Sequence, residues 1–223
     1  MPLKWIKTIP AKLREPFASG SHLLGAITGV FGSAYLVMRC DGSCDAVSAV
    51  LVYSLALIAV FLVSGLFHGL HCSDAMLSKL ERLDYAAIYI FLAASYTPVC
   101  LLVIKGNFGG GLLLAEWLLA ILGVWLALTR GPSGRNLQVA IFLAMGWAFL
   151  FALPSLSSKL SPMAMNFLIL GGVFYSVGAV VFAFDWPKLF RDKLSAHDIW
   201  HVLVLLGSAS HYVFVVQIIS RVA

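Results

Sequence analysis

Two histidines four residues apart, in Ala196-His197-Asp198-Ile199-Trp200-His201, stand one above the other on a single face if the segment is helical. That is the spacing with which one helix grips a metal ion from the side. Ser64 and His68 repeat the i, i+4 spacing in an earlier apolar stretch, and Asp84 follows a little further on. Three neutral imidazoles with an open fourth position are the coordination of a catalytic zinc site, where the metal lowers the pKa of a bound water to about 7. His68, His197 and His201 are therefore the candidate ligands. Asp84 is the candidate general base, and Ser64 a candidate hydrogen-bonding partner of the water or ligand. A lone helix-end histidine is ordinarily an interfacial anchor, so the metal reading depends on whether the chain brings these residues to one depth.

The elements that must do so are apolar. The chain has 223 residues, of which 61% are hydrophobic and 11% charged, with a mean hydropathy of +0.96. Such a chain cannot present an ordinary polar surface to water, which implies an integral membrane protein. Continuous apolar runs, without the alternation of barrel strands, make it all-α. The runs fall at about 22–38, 47–70, 84–104, 110–128, 137–153, 163–184 and 199–220, predicting a single domain over 1–223, a bundle of seven spans with short connections. Of the 15 Lys and Arg residues, 11 fall in the N-terminal segment and the loops after spans 2, 4 and 6, and four on the other side. The bias predicts a cytoplasmic N-terminus and an outer C-terminus. It also accounts for the net charge of +5 without a nucleic-acid partner. Residues 1–21 read as a cytoplasmic segment, interfacial through Trp5 and Ile6, with no signal-peptide pattern.

With that topology, polar residues distant in sequence meet at the inner end of the bundle: Glu15 and His22 at the start of span 1, Ser64 and His68 at the end of span 2, Asp84 at the start of span 3, and His197 and His201 at the start of span 7. His71 is a rival ligand expected in a loop. His211, deep in span 7, is expected to be a structural hydrogen-bonder, Glu116 a solvated or snorkelling carboxylate near the outer end of span 4, and Asp198 a helix cap. Pro98 should kink span 3, with the Ser95 and Thr97 hydroxyls helping to satisfy the freed backbone. Gly109-Gly110-Gly111 suggests a turn, and Gly171-Gly172 a close helix contact. Cys40 and Cys44 flank Asp-Gly-Ser in one loop, a spacing that permits a local disulfide if the loop faces an oxidising compartment.

Several separate motifs occur together in order: Glu15-x6-His22, Ser64-x3-His68, Leu83-Asp84-x3-Ile88-Tyr89 with Tyr96-Thr97-Pro98, Gly146-Trp147, Gly171-Gly172-x2-Tyr175-x2-Gly178, and His197-x3-His201. From about residue 15 to 215 the chain resembles the bacterial hemolysin III proteins, which are similar to the progesterone and adipoQ receptor family within the superfamily that includes alkaline ceramidases. The resemblance implies seven membrane helices, a cytoplasmic N-terminus, and a zinc ion held by His68, His197 and His201 with Ser64 and Asp84 around it. One departure is Ala18, where hemolysin III sequences usually carry Asn; Ser19 or Ser21 is the available replacement.

The expected activity is a zinc-dependent hydrolysis of a lipid amide or ester in the bacterial inner (plasma) membrane, with membrane lipids as partners. The alternatives are a non-enzymatic receptor or lipid-homeostasis regulator with structural zinc, and a cytolytic pore-former. The last is poorly supported, since no span carries a continuous polar stripe.

Overall fold

The computed structural model describes residues 13–186 and 195–222. The N-terminal segment through Lys12, with its expected interfacial Trp5 and Ile6, lies outside them, as do Lys188, Arg191 and Lys193. The described residues form eight α-helices: α1 (Pro16–Met38), α2 (Cys44–Gly69), α3 (Asp74–Pro98), α4 (Gly106–Arg130), α5 (Arg135–Trp147), α6 (Phe149–Ser157), α7 (Pro162–Phe184) and α8 (Ala196–Val222). A π-helical stretch, Val99–Ile104, extends α3, and α5 with α6 forms one interrupted crossing, so seven segments are long and apolar enough to span a membrane. The chain is a seven-helix membrane bundle, as its hydropathy predicts.

The ends differ from the apolar runs in ways that matter. α3 begins at Asp74, ten residues before the expected 84, because Asp74 to Leu83 is a charged, amphipathic stretch that folds as helix without being apolar. Ser73 caps it by accepting a bond from Met76 N–H at 3.4 Å. Asp84 therefore sits well inside a helix rather than at its start. α1 likewise begins at Pro16, six residues early, which moves His22 nearly two turns into the helix. The glycine run 109–111 lies within α4 instead of forming a turn. The reversal falls at Lys105 and Gly106, both at positive φ (58° and 63°). Cys40 and Cys44 are free thiols, one just after α1 and the other the first residue of α2.

At Pro98 the helix does not simply kink. Ser95 donates to Phe91 O at 2.7 Å and Thr97 to Ala93 O at 3.5 Å, neither being the Ala94 carbonyl that proline frees, and the chain widens into the π-helical stretch. The break between α5 and α6 has a side chain in it: Tyr96 Oη donates to Met145 O at 2.6 Å and accepts from Phe149 N–H at 3.0 Å. Glu116 is 1% exposed and packed inside the bundle. The expected snorkelling fails because α4 starts at Gly106, four residues earlier than the apolar run, which draws the carboxyl deeper.

α1 packs along α2, α7 along α8, and α3 between α2 and α4, while α8 also touches α1 and α3. Small residues permit these approaches. A Cβ on Gly171 would lie 3.3 Å from Gly207 O on α8, and one on Gly25 would lie 2.9 Å from Leu205. A Cβ on Gly123 would fall inside the Tyr89 ring, which is wholly buried. Gly123→Ala should consequently cost about 1–3 kcal/mol by overpacking, seen as a lower thermal unfolding midpoint of the purified protein, whereas Gly110→Ala, with open space around it, should not lower it.

Candidate metal centre

α2 ends and α8 begins at the same end of the bundle, and their histidines meet there. Nε2 of His197 lies 3.4 Å from Nε2 of His68 and 2.9 Å from Nε2 of His201. One ligand atom from each of the three rings falls within 4.8 Å of the others. His68 and His201 are 2% and 1% exposed, and His197 is half-buried. The start of α8 is set by a reciprocal cap: Ser195 N–H and Oγ–H donate to Asp198 Oδ2 at 2.9 and 2.7 Å, and Asp198 N–H donates back to Ser195 Oγ at 3.1 Å. Asp198 is thus the expected cap, and it holds His197 and His201 in register.

Two contacts from α1 decide what the ring nitrogens can do. His68 Nδ1 is 2.6 Å from Glu15 Oε2. A carboxylate only accepts, so Nδ1 carries the proton and the lone pair is left on Nε2, aimed at the other two rings. His201 Nδ1 is 2.7 Å from His22 Nε2, and a proton on that Nδ1 leaves the His201 Nε2 lone pair facing inward too. Glu15 is itself held by Arg14 at 3.2 Å. Arg14 also donates to Phe67 O at 2.7 Å and lies over the Phe67 ring. The backbone joins the same junction, with Arg14 N–H donating to Gly69 O at 3.3 Å and Glu15 N–H to His68 O at 3.0 Å.

The donor set fits a metal ion. Nitrogens about 2.0–2.1 Å from a tetrahedral ion stand about 3.3–3.4 Å apart, the separation found between His68 and His197, while His197 and His201 stand closer, at 2.9 Å. Three converging imidazole nitrogens, two of them with the far nitrogen engaged, are what a three-histidine site requires. Asp84 and Ser64 stand outside this cluster, side by side, Ser64 buried on the α2 face one turn before His68. Both line a cavity of about 870 Å³ that runs from Glu15 and Ser195, past the histidines, to Leu156 and Phe214 deep in the bundle. His71 lies in the exposed connection after α2 and is not part of the cluster.

Seven apolar helices closed around a buried histidine cluster that could hold a metal ion define a polytopic membrane protein with a metal-type centre at one end. A family model described as Haemolysin-III related matches residues 11–212, and the chain belongs to that family. It is similar to Hemolysin-3 of Bacillus cereus, 32% identical over 204 residues that cover 88% of each chain. It is 28% identical over 196 residues to the human Monocyte to macrophage differentiation factor, covering 86% of this chain and 79% of that one. The Adiponectin receptor protein of Drosophila melanogaster is 24% identical over 212 residues, covering 86% of this chain and 48% of that protein. The motif resemblance read from the sequence holds.

The residue types at the site were readable, but the parts taken by Glu15, His22 and Arg14 were not. Glu15 and His22 were visible only as polar residues at one depth, and Arg14 had no signal beyond its place beside Glu15. At the departure from the usual pattern, Ala18 is buried, and Ser19 makes the cross-helix bond, donating to Gly65 O at 2.8 Å. Ser21 bonds only its own helix, at Ala18 O.

Elemental analysis of protein purified without chelator should find a bound metal ion in the wild type and none in His201→Ala. Glu15→Ala should weaken metal affinity about 10- to 100-fold in a competition titration while leaving helix content unchanged.

Proposed function

We propose that this chain is a zinc-dependent hydrolase of a lipid amide or ester bond, resident in the bacterial inner (plasma) membrane. One observation carries the reading: the three inward-facing Nε2 atoms and the Asp84 and Ser64 side chains share the wall of one large cavity in an apolar bundle. A zinc ion held by His68, His197 and His201 would polarise a scissile carbonyl and acidify a water molecule. Asp84 would serve as general base toward an attacking water and as general acid toward the leaving group, and the Ser64 hydroxyl beside it fixes the carboxyl's orientation. Glu15 and His22 keep the proton on the outer nitrogens of His68 and His201, so that both rings act as ligands rather than donors. The apolar wall, with Phe91, Phe142, Leu143 and Val204, holds the lipid chain and excludes water from everything but the reacting end. The bacterial Hemolysin-3 relative supports the membrane assigned.

A second reading is favoured by the way the cluster is built. Its ligands come from α2 and α8 and their hydrogen-bonding partners from α1, so an ion there would tie three helices together. On that reading the protein is a receptor or lipid-homeostasis regulator, and Asp84 is dispensable.

The discriminating measurement is fatty-acid release from a lipid amide and a lipid ester by zinc-loaded protein in nanodiscs. Asp84→Asn should keep its zinc and lose about 100- to 10,000-fold in rate. Release by neither substrate, or an undiminished rate in Asp84→Asn, would sink the hydrolase and leave the regulator.

A further inference from the structure

Beyond the histidine end the cavity wall is apolar, but polar groups return at one level deep inside it. His211 lines the cavity, and its Nδ1 is buried without a protein partner among the described residues. Its ring lies 5.7 Å from that of Tyr53, whose hydroxyl is likewise buried and unpartnered although Tyr53 has no exposed surface. Tyr175, a third residue of this level that also lines the cavity, has its hydroxyl 2.7 Å from Ser208 Oγ, one turn before His211 on α8. Two helices, α7 and α8, thus contribute hydrogen-bonding groups to a stretch of wall that otherwise suits hydrocarbon, with Tyr53 of α2 packed behind it. His201 and His211 are ten residues apart on one continuous helix, which sets the two levels about 15 Å apart along its axis.

A neutral imidazole has one donor and one acceptor nitrogen, and enclosing it beside methylene groups leaves that capacity unmet. A plain acyl tail would be served better by Phe or Leu at this position. We infer that the deep end of the cavity is a second, polar subsite, centred on His211, for a lipid whose chain carries a hydroxyl or keto group about 15 Å from the group held at the three histidines. The inference rests on the lipid reading above and narrows its substrate class to chain-oxygenated amphiphiles. The hydroxyl of such a chain both donates and accepts, so it serves the His211 ring, which borders the cavity, in either tautomer while the rest of the tail keeps its apolar contacts.

Binding to the full chain in nanodiscs decides the matter. The two probes are a fatty acid hydroxylated at the matching distance from its carboxyl group, and the unsubstituted acid of the same length. The wild type should bind the hydroxylated acid about three- to tenfold more tightly. His211→Phe, which keeps the ring volume without its nitrogens, should abolish that preference and retain affinity for the plain acid. Equal binding of both acids by the wild type overturns the subsite, leaving His211 a water-satisfied imidazole and the lipid reading intact. A preference that survives in a folded His211→Phe protein also overturns it. Binding of neither acid removes the subsite and the lipid reading together. The wild-type comparison stands even if the variant does not fold.

Discussion

The short contact between Glu15 and His68 is the constraint on which the site depends. At 2.6 Å, with a group that can only accept, it settles which nitrogen of His68 carries the proton and turns the other toward the cluster. The same junction anchors the start of α1 to the end of α2 through two backbone bonds and the Arg14 guanidinium. Orientation of a ligand ring and attachment of a helix are therefore one piece of structure. His22, nearly two turns further along α1, reaches His201 from that attached helix, so both buried ligands take their hydrogen-bond partner from α1.

The location of the cluster follows from the cost of burying polar groups in hydrocarbon. Four imidazoles and the Glu15 carboxyl group could not be scattered through seven apolar helices without each needing a partner. Brought together at the ends of α2 and α8, they satisfy one another and remain within reach of the charged residues at the bundle's mouth. The cavity continues inward from this cluster past the break between α5 and α6. Tyr96 bonds both sides of the break, and Phe149 just beyond it is part of the cavity wall.

Much of this was legible in the chain itself. Seven apolar runs, the Lys and Arg asymmetry and two i, i+4 pairs were enough to bring His68, His197, His201 and Asp84 to one end. What stayed hidden had physical reasons. Asp74 to Leu83 is helical but charged, and hydropathy responds to polarity rather than to backbone conformation. The break at Ala148 has no proline beside it and depends on a tyrosine some fifty residues away. The burial of Glu116 turned on where α4 begins, and a glycine-rich stretch inside a membrane helix looks the same as a turn until tertiary packing chooses between them. A Cβ on Gly109 would come within 2.8 Å of Cys100 O, so that glycine serves the close approach of α4 to the π-helical stretch rather than a reversal.

The division of labour within α8 shows how one helix can serve both ends of a cavity. Its first turn is held by the Ser195 and Asp198 cap, which places His197 and His201 facing α2. Ten residues is close to a whole number of helical turns, within about a quarter turn, so a rigid helix that presents His201 to the cavity presents His211 to much the same side at greater depth. No separate loop is needed to build the deeper group, and the separation between the two levels is fixed by helix geometry rather than by side-chain reach. Close contacts along the helix keep it from rotating: Gly207 against Tyr175, where a Cβ would lie 2.8 Å from the ring, and Tyr212 bonded to Gly32 O of α1 at 2.9 Å. Any movement that turned His201 away from His68 would have to break these contacts as well, which ties the geometry of the histidine cluster to the packing of the cavity wall.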